Sequence, residues 1–288
     1  MEIATLQAFV EVADHASFSE AAESLFLTQP AVSKRVAQLE RELGTRLFDR
    51  IGRRVSLTST GVELLPRARR LINDAREIKR LVSDLSGEVR GPLVMGTSHH
   101  IGLHRLPPVL KRFIEHFPQV RLDIRFMDSE AACRAVETGD LELAIVTLPP
   151  GQPQNLRLKT IWEDPLAFMV GLDHPLAARG RVSLQELLGY PAVLPGTSTY
   201  TRGILEEAMR EAGVELNVAM ATNYLETLHR LVATGLGGSR LPATVLDDEV
   251  SRVEVSGMQL SRRLGAVTHQ KRSLSNAGVE MIRTCLAV

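Results

Sequence analysis

The sequence has few cysteines, no long apolar run and no leader-like start, and each shortage narrows the class of protein. Among its 288 residues only Cys133 and Cys285 are cysteines, and they lie far apart. A disulfide framework is therefore not indicated, and a cytoplasmic location is expected. No apolar run approaches the length of a membrane span, and the acidic second residue is unlike a signal peptide. We expect no membrane partner.

Two motifs of enzymes and metal sites are also missing, because the sequence contains neither GxSxG nor HExxH. Ser98 stands beside His99, but neighbours in sequence rarely face each other as nucleophile and base. His99, His100 and His104 have a spacing on a predicted helix that can hold zinc, yet no cysteine is near. We therefore expect no enzyme, no metal site and no cofactor, with a polar cleft lining as the role of these histidines.

Net charge is zero, because 34 basic residues balance 34 acidic ones. One stretch departs from this balance. Between Gln29 and Ser56 seven lysines and arginines stand against three acidic residues. A local basic excess of this kind, and not the total charge, indicates binding to phosphates.

The same part of the chain predicts two short helices and a hairpin. Ser17 and Glu20 have the spacing of a capping box that opens the first helix. Thr28 can cap the second helix, Pro30 falls in its first turn, and Gly44 can end it. The inward stripe of that second helix comprises Val32, Val36, Leu39 and Leu43.

The opposite face of the second helix carries polar and basic side chains near its N-terminus. Amide, hydroxyl and cationic groups are those that read base edges from a helix in the major groove. After this helix a run of arginines brackets a predicted turn at residues 51–52. The predicted DNA-binding residues are Gln29, Pro30, Ser33, Lys34, Arg50, Arg53 and Arg54.

These residues closely resemble the DNA-binding domain of LysR-type transcriptional regulators. The family motifs are the Ala-Ala pair at 21–22, TQPAVS at 28–33, ExxLG at 40–44, LFxR at 47–50 and LTxxG at 57–61. Lys34 stands where the family more often has arginine. The resemblance implies a winged helix-turn-helix, double-stranded DNA as partner, a homodimer or homotetramer, and a contact with RNA polymerase.

A stripe of apolar residues follows the hairpin in alternating steps of four and three. The stripe consists of Leu64, Ala68, Leu71, Ala75, Ile78, Val82 and Leu85. Such a seam is most easily buried against a second copy of itself, so it predicts a dimerisation helix. A long helix packed on its own C-terminal domain is the alternative, and the family resemblance favours the dimer.

Beyond residue 90 strands alternate with helices, which predicts a mostly parallel sheet covered on both faces. We expect strands at 93–96, 120–127, 141–148, 192–194, 218–222 and 265–268, helices at 103–117, 131–138, 201–212 and 224–234, and a crossing strand at 162–172. This region resembles the effector-binding domain of the same family, which is similar to periplasmic solute-binding proteins.

Polar residues stand at the predicted strand ends, where open α/β sheets bind ligands. The predicted effector-binding residues are Thr97, Ser98, His99, His100, Thr147, Thr197, Ser198, Thr199 and Arg202. Hydroxyls and free N–H groups at two helix starts suit an anion, so a small anionic metabolite is the expected effector. The family's effector contacts map onto the same loops. An ordinary helix cap is the alternative role of each serine and threonine.

The predicted organisation is an all-α winged helix-turn-helix domain over residues 1–60, a linker helix and hinge over 61–90, and an α/β effector domain over 91–288. The effector domain should have two Rossmann-like lobes, lobe I at about 91–162 with 266–288 and lobe II at about 163–265. The predicted function is transcriptional regulation controlled by a small-molecule effector. The alternative is a solute-binding module without a DNA role. Cys133 is predicted to be a packed thiol and not a redox sensor.

Overall fold

The structure, a computed structural model, describes residues 1–51, 54–84 and 87–288, and leaves the side chains of residues 50, 51, 54, 76, 77 and 79–84 undescribed. The chain forms two compact units. One contains residues 1–88 with 138–140, and the other contains the remainder. Among the described residues, no helix is both long enough and apolar enough to cross a bilayer.

The N-terminal unit has the predicted order of helices and hairpin. Its elements are α1 (Ile3–His15), α2 (Phe18–Ser24), α3 (Gln29–Leu43), β1 (Phe48–Ile51), β2 (Arg54–Leu57) and α4 (Ser59–Asp84). The strands β1 and β2 pair antiparallel, with Phe48 opposite Leu57. In the core, the ring centroids of Phe9 and Phe18 lie 5.4 and 5.8 Å from that of Phe48, so the hairpin is anchored on the helices.

The ends of α2 and α3 follow the predicted signals in part. Ser17 Oγ accepts a hydrogen bond from the backbone N–H of Glu20 at 3.3 Å, which confirms the predicted cap. Thr28 occupies the N-cap position of α3, but its side chain makes no capping hydrogen bond, so that prediction is wrong. Gly44 ends α3 with a left-handed φ of 68°. Leu43 is 41% exposed, so the inward stripe ends one turn earlier than expected, at Leu39.

The apolar stripe of α4 divides into two parts. Leu64 and the fully buried Ala68 pack in the core of their own N-terminal unit. Further along, Leu71 is 43% and Ile78 64% exposed, while Ala75 is partly buried. The side chain of Val82 and all of Leu85 lie outside the described residues. The exposed part of α4 therefore begins at about Leu71, and the dimerisation seam stays a prediction.

The C-terminal unit contains the alternating strands and helices expected. Its strands are β3 (Gly91–Thr97), β4 (Val120–Phe126), β5 (Leu143–Thr147), β6 (Leu156–Gly171), β7 (Arg181–Val182), β8 (Ala192–Leu194), β9 (Val218–Ala221), β10 (Ser239–Pro242), β11 (Val250–Val255) and β12 (Leu260–His269). Its helices are α5 (His99–His104), α6 (Leu106–His116), α7 (Ser129–Thr138), α8 (Leu184–Leu188), α9 (Tyr200–Glu211), α10 (Leu225–Ala233) and α11 (Asn276–Leu286).

The helix predicted over residues 103–117 is instead two helices, α5 and α6, that meet at Arg105. Pro107 and Pro108 are the second and third residues of α6 and both stand in its first turn. A proline removes a backbone donor and clashes with the preceding turn, so it is tolerated at a helix start but not inside. The new helix start is the physical reason for the break.

The large sheet is mixed and not mostly parallel. Its strand order is β4-β3-β5-β12-β6-β11-β7, with β10 also paired to β6. Among the described strands of this sheet β4, β3 and β5 run parallel to one another, and β11 pairs parallel with the short β7. In contrast, β12 is antiparallel to β5 and to β6. Strands β10 and β11 are antiparallel to β6 as well. The crossing connection thus consists of two long antiparallel strands, β6 and β12. The sequence predicted the crossing role of the first, but for the second it predicted only a short strand at 265–268.

Two lobes share these crossing strands. In lobe I one apolar cluster packs helices α5, α6 and α11 on the sheet, and a second packs α7 on the other face. In lobe II one cluster contains α8 and α9, and the other contains α10. Both lobes are therefore covered on two faces, as expected of an α/β domain.

The register between β6 and β12 shifts between Leu264 and Gly265. Leu264 pairs with Trp162 and Gly265 with Thr160, so Ile161 is the extra residue of a β-bulge. A Cβ on Gly265 would lie 2.1 Å from the carbonyl oxygen of Lys159. Only glycine permits this approach of two backbones.

We expect Gly265→Ala to lower the free energy of unfolding of the C-terminal unit by about 2 kcal/mol or more, because backbone must move. Urea unfolding followed by the fluorescence of Trp162, the only tryptophan in the sequence, measures this. The control is Gly203→Ala in α9, whose added methyl would meet nothing within 4 Å. It should be neutral or stabilise by up to about 1 kcal/mol. Equal stability of the two variants would contradict the prediction.

Candidate functional site

The start of α3 presents the predicted recognition face. Gln29, Pro30 and Lys34 are exposed and Ser33 is partly buried, whereas Val32 is fully buried on the inner side. The helix thus offers an amide, a hydroxyl and an ammonium group in its first two turns, with an apolar back fixed on the domain. This is the arrangement that base reading by a helix requires.

The hairpin that follows α3 has the position of a wing, but the side chains predicted to contact DNA from it lie outside the described part of the structure. Arg53 lies outside the described residues, and the side chains of Arg50 and Arg54 are undescribed. The sequence predicted no role for Phe26, which stands in the turn between α2 and α3 with a positive φ of 55° and is 96% exposed.

A polar cleft lies between the two lobes of the C-terminal unit. Its lining comprises Ser98, His99, His100, Asp128, Ser129, Glu130, Thr147, Pro195, Thr199, Thr201, Asn223, Leu225, Glu226 and Arg262. Five of the nine predicted effector-binding residues belong to this lining, namely Ser98, His99, His100, Thr147 and Thr199. The structure therefore brings together the loops at the ends of β3 and β5 and the start of α9.

The other four predicted residues do not line the cleft. Thr97 is fully buried and donates a hydrogen bond to the carbonyl oxygen of Ile145 at 2.8 Å. Thr197 and Ser198 are exposed and outside the lining. Arg202 donates from Nε to Glu206 at 2.7 Å and from Nη1 to the backbone carbonyl of Pro195, so its charge is used within its own lobe.

One of the predicted cleft hydroxyls serves the fold directly. Thr199 Oγ1 accepts from the backbone N–H of Arg202 at 3.2 Å and caps α9. Ser98 occupies the N-cap position of α5, but its side chain makes no capping hydrogen bond. Within the described residues no hydrogen bond joins Ser98 to an imidazole, so Ser98 is not paired with a base.

Sequence analysis missed the acidic part of the lining. Asp128 and Glu130 follow β4 and open α7, and Glu226 lies in the first turn of α10. Loops after strands of the predicted sheet were the available signal for the first two, but only hydroxyls and histidines were chosen there. Glu226 had no signal, because its place beside His100 depends on the packing of the two lobes.

Several polar contacts cross the cleft and hold the lobes together. Asn223 of lobe II donates from Nδ2 to Asp128 of lobe I at 2.7 Å. The backbone N–H of Tyr200 donates to Glu130 Oε1, which places that carboxylate at the N-terminus of α9. The cleft therefore is narrow and joined at its rim by groups that a ligand could replace.

The floor of the cleft is a buried ion pair. Asp164 on β6 and Arg262 on β12 are register partners, with 0% and 4% exposure, and Nε of Arg262 donates to Asp164 Oδ2 at 2.7 Å. Nη1 of Arg262 donates to Thr201 Oγ1 at 2.9 Å, and Arg105 Nη2 lies 3.4 Å from Asp164 Oδ1. Nη2 of Arg262 is buried without a hydrogen-bond partner. The charge of Arg262 is thus balanced by Asp164, while its Nη2 remains as a donor for a ligand.

The charges of the lining do not favour a purely anionic effector. The carboxylates of Asp128, Glu130 and Glu226 face the cleft, and the charge of Arg262 is offset by Asp164. Desolvation lowers the pKa of His100, so this buried imidazole tends to be neutral. We expected an anionic effector because two helix N-termini offer free N–H groups to it. The structure places carboxylates of the protein at or near these N-termini. The lining suits a ligand that carries hydrogen-bond donors or a positive group as well.

Two clusters have the residue types of a metal site. The first joins His100, His104 and Glu226, and the second joins His229, Asp247 and Glu249, each with ligand atoms within 4.8 Å of one another. In the second cluster His229 Nε2 lies 3.0 Å from Asp247 Oδ1, a hydrogen bond that already satisfies both groups.

Cys133 lies in α7 and is 4% exposed, and burial raises the pKa of its thiol to about 11. A thiol that is protonated and covered is a poor nucleophile. The prediction of a packed thiol is confirmed.

Lobe II contains a second, apolar pocket around a buried arginine. Arg240 on β10 is 3% exposed, and its guanidinium carbon lies 4.4 Å from the ring centroid of Phe168 on β6. Nε and Nη1 of Arg240 have no hydrogen-bond partner, and none of the acidic side chains that the structure describes pairs with it. Desolvation lowers its pKa to about 10. Most of the surrounding side chains are apolar.

Both units match known protein families. Residues 3–62 match the family model of bacterial regulatory helix-turn-helix proteins of the lysR family, and residues 86–288 match that of the LysR substrate binding domain. The HTH-type transcriptional regulator YfeR of Shigella flexneri is 32% identical over 279 residues, which cover 94% of this chain and 89% of that protein.

Solved structures share the whole fold. A full-length OxyR from Pseudomonas aeruginosa has a TM-score of 0.73 at 24% identity and is covered to 94%, with all of this chain matched. Full-length CbnR complexed with its target DNA has a TM-score of 0.68 at 20% identity, over 99% of this chain and 100% of that one. At such identities the likeness concerns the fold alone.

The unpaired charge in lobe II leads to a stability prediction. We expect Arg240→Met to raise the free energy of unfolding of the C-terminal unit by about 1 to 3 kcal/mol, because a buried cation that faces an aromatic ring but no carboxylate is replaced by an apolar chain of similar length. Urea unfolding followed by Trp162 fluorescence measures this. Arg210→Met, at an exposed arginine of α9 paired with Glu207, is the matched control and should change stability by less than about 0.5 kcal/mol. Destabilisation by Arg240→Met would contradict the prediction.

Proposed function

We infer, from the premise that the chain belongs to the LysR family of transcriptional regulators, how its two units share the work of regulation. The N-terminal unit reads an operator in double-stranded DNA, and the C-terminal unit binds a small effector between its lobes. The observation that carries this is the exposed polar face at the start of α3, which a buried apolar stripe holds on a winged helix-turn-helix. The match of residues 3–62 to a DNA-binding family disfavours a solute-binding module without a DNA role.

In the proposed complex α3 enters the major groove with its N-terminus. Gln29 can bond an adenine edge through its amide, and Ser33 and Lys34 supply a hydroxyl and a cation for neighbouring bases or phosphates. The hairpin arginines Arg50, Arg53 and Arg54 are proposed to contact the backbone or the minor groove as a wing. These assignments rest on position in the motif and on the exposure of the helix side chains.

The proposed effector is a small polar molecule that carries donors or a positive group and acts on lobe closure. It would replace contacts such as Asn223 to Asp128, and Nη2 of Arg262 offers a donor to any anionic end. A zwitterionic metabolite satisfies both requirements. A ligand shifts the lobes only by its different affinity for their open and closed arrangements, and the oligomer then transmits that shift to the DNA-binding heads.

Two copies are proposed to associate through the exposed part of α4, where Leu71 and Ile78 present apolar surface. Paired heads then bind an interrupted palindrome, since operator symmetry follows protein symmetry. A contact with RNA polymerase is part of this proposal, and so is a cytoplasmic location.

The experiment that tests the proposal is a binding titration on the DNA upstream of the protein's own gene, with random DNA as competitor and salt varied. Salt matters because phosphate contacts alone mimic recognition at low ionic strength. Preference for the upstream DNA that persists at physiological salt supports the proposal. Equal binding to all DNA in this assay and in a genomic selection, with and without metabolites, would overturn it.

Recognition by α3 gives a sharper prediction. Gln29→Ala or Ser33→Ala should each weaken binding to the selected site by about 1 to 3 kcal/mol while binding to random DNA is largely kept. Fluorescence anisotropy with matched operator and random duplexes separates the two. Gln38→Ala is the control, because Gln38 lies in the second half of α3 and its side-chain amide donates to Glu42 of the same helix. A uniform loss on both duplexes would assign Gln29 and Ser33 to phosphate contacts instead.

The lobe mechanism predicts a response to charge across the cleft. Asn223→Asp places a second carboxylate opposite Asp128, so the repulsion should favour the open lobes and change operator affinity at least severalfold in the absence of effector. Asn155→Asp makes the same change outside the cleft, where Asn155 donates to Glu137 at 2.7 Å. Small-angle scattering reports the opening. Identical operator affinity and scattering for both variants would count against control by lobe closure.

A further inference from the structure

Three potential ligand atoms converge where α5 of lobe I faces the start of α10 in lobe II. Nδ1 of His100 lies 3.7 Å and Nε2 of His104 lies 3.5 Å from the same oxygen, Oε1 of Glu226. The two histidines are four residues apart on one helix, which places both rings on one side with centroids 4.6 Å apart. Glu226 comes from the other lobe, 122 residues later in the chain.

These separations suit a bridging ion better than hydrogen bonds. The buried atoms His100 Nδ1 and Glu226 Oε1 have no hydrogen-bond partner among the described residues. Ligand bonds of 2.0 to 2.2 Å in a tetrahedral zinc site put neighbouring ligand atoms about 3.3 to 3.5 Å apart. The observed 3.5 and 3.7 Å lie just beyond hydrogen-bond range and close to that spacing.

The surroundings of His100 are compatible with the tautomer that a metal requires. The hydroxyl oxygen of Thr244 lies 3.3 Å from Nε2 of His100, and when it accepts the N–H of that atom the lone pair of Nδ1 is free for a metal ion. A neutral imidazole with a free lone pair and an ionised carboxylate are the forms that bind metal ions.

We propose that His100, His104 and Glu226 form a binding site for a divalent transition-metal ion of the zinc type, placed between the two lobes. Two imidazoles and one carboxylate are three ligands, so a fourth position is left for water or for the effector. Imidazole ligands favour zinc, nickel, copper and cobalt over magnesium and calcium, which prefer oxygen. His104 is partly exposed and borders an open surface pocket, which gives an ion a route of entry.

The proposed site links metal affinity to the closure of the two lobes. Because two ligands belong to lobe I and one to lobe II, the ion binds the closed lobes more tightly than the open ones. Metal binding therefore stabilises closure by mass action. This regulatory consequence rests on the proposed function, whereas the metal site itself does not.

The experiment is a titration of Zn²⁺ into metal-free full-length protein, followed by calorimetry, with Co²⁺ as the spectroscopic probe. We expect one ion per protomer and the visible absorption of a four- or five-coordinate cobalt ion. Thr244→Val, which removes the group that orients His100, should weaken binding about tenfold. His104→Gln and Glu226→Gln should each weaken it more and abolish the cobalt spectrum.

Controls make the result specific to this cluster. His116→Gln removes an exposed histidine of lobe I whose Nδ1 bonds to the backbone carbonyl of Arg112, outside both clusters, and it should leave affinity unchanged. Asp247→Asn tests the second cluster. Circular dichroism establishes that each variant folds, and Glu226→Ala, a smaller side chain, repeats the test if Glu226→Gln does not fold.

Two outcomes would overturn the proposal. One is the absence of zinc binding and of a cobalt spectrum in the folded protein, which would leave His100 and Glu226 as an ion pair between the lobes. The other is affinity that falls with Asp247→Asn but persists in His104→Gln and Glu226→Gln. Operator preference is measured separately with a chelator present, so a failure of the metal site and a failure of DNA recognition give different results.

Discussion

The buried ion pair of Asp164 and Arg262 is the constraint on which the effector domain depends. Both charges are removed from water at the point where β6 and β12 cross between the lobes. Loss of one partner would leave the other charge uncompensated, at a cost of about 3 to 5 kcal/mol. Arg262 also holds Thr201 of α9, and Arg105 of lobe I lies near Asp164. The crossing point therefore fixes both walls of the cleft.

The remaining polar groups of the cleft are arranged around this neutral floor. Glu226 from α10 of lobe II faces two histidines from α5 of lobe I, and amide groups of lobe II meet the carboxylates of Asp128 and Glu130 in lobe I. These contacts join the two lobes. A change in the angle between the lobes must break several at once, which makes the closed form cooperative.

The N-terminal unit was readable from sequence because its signals are local. Helix periodicity, Ser17 as a cap and Gly44 as a stop each act within a few residues, and the structure follows them. The predictions that failed in this unit also concern single residues, at the two ends of α3. Thr28 stands at the cap position without bonding, and Leu43 lies past the last buried turn of α3.

The sheet order and the acidic lining were not readable, because both depend on contacts between distant residues. Strand β12 pairs with β5 and with β6, about a hundred residues earlier in the chain, and no periodicity encodes such a pairing. The sequence predicted no role for Arg262, which is buried. Polar residues at strand ends located the cleft, since that rule is topological. The same rule did not show which of the hydroxyls cap a helix, as the hydroxyl of Thr199 does.

The two crossing strands also limit how the lobes can move. A hydrogen-bonded ladder joins the whole of β12 to residues 156–166 of β6, and its register shift lies between Leu264 and Gly265. Sliding one lobe over the other would break the ladder, whereas twisting the two strands keeps it. The pair of strands therefore permits rotation of the lobes more readily than sliding. A ligand in the cleft then changes one quantity, the angle between the two lobes. An assembly of two identical chains can respond to a difference in that angle between its members.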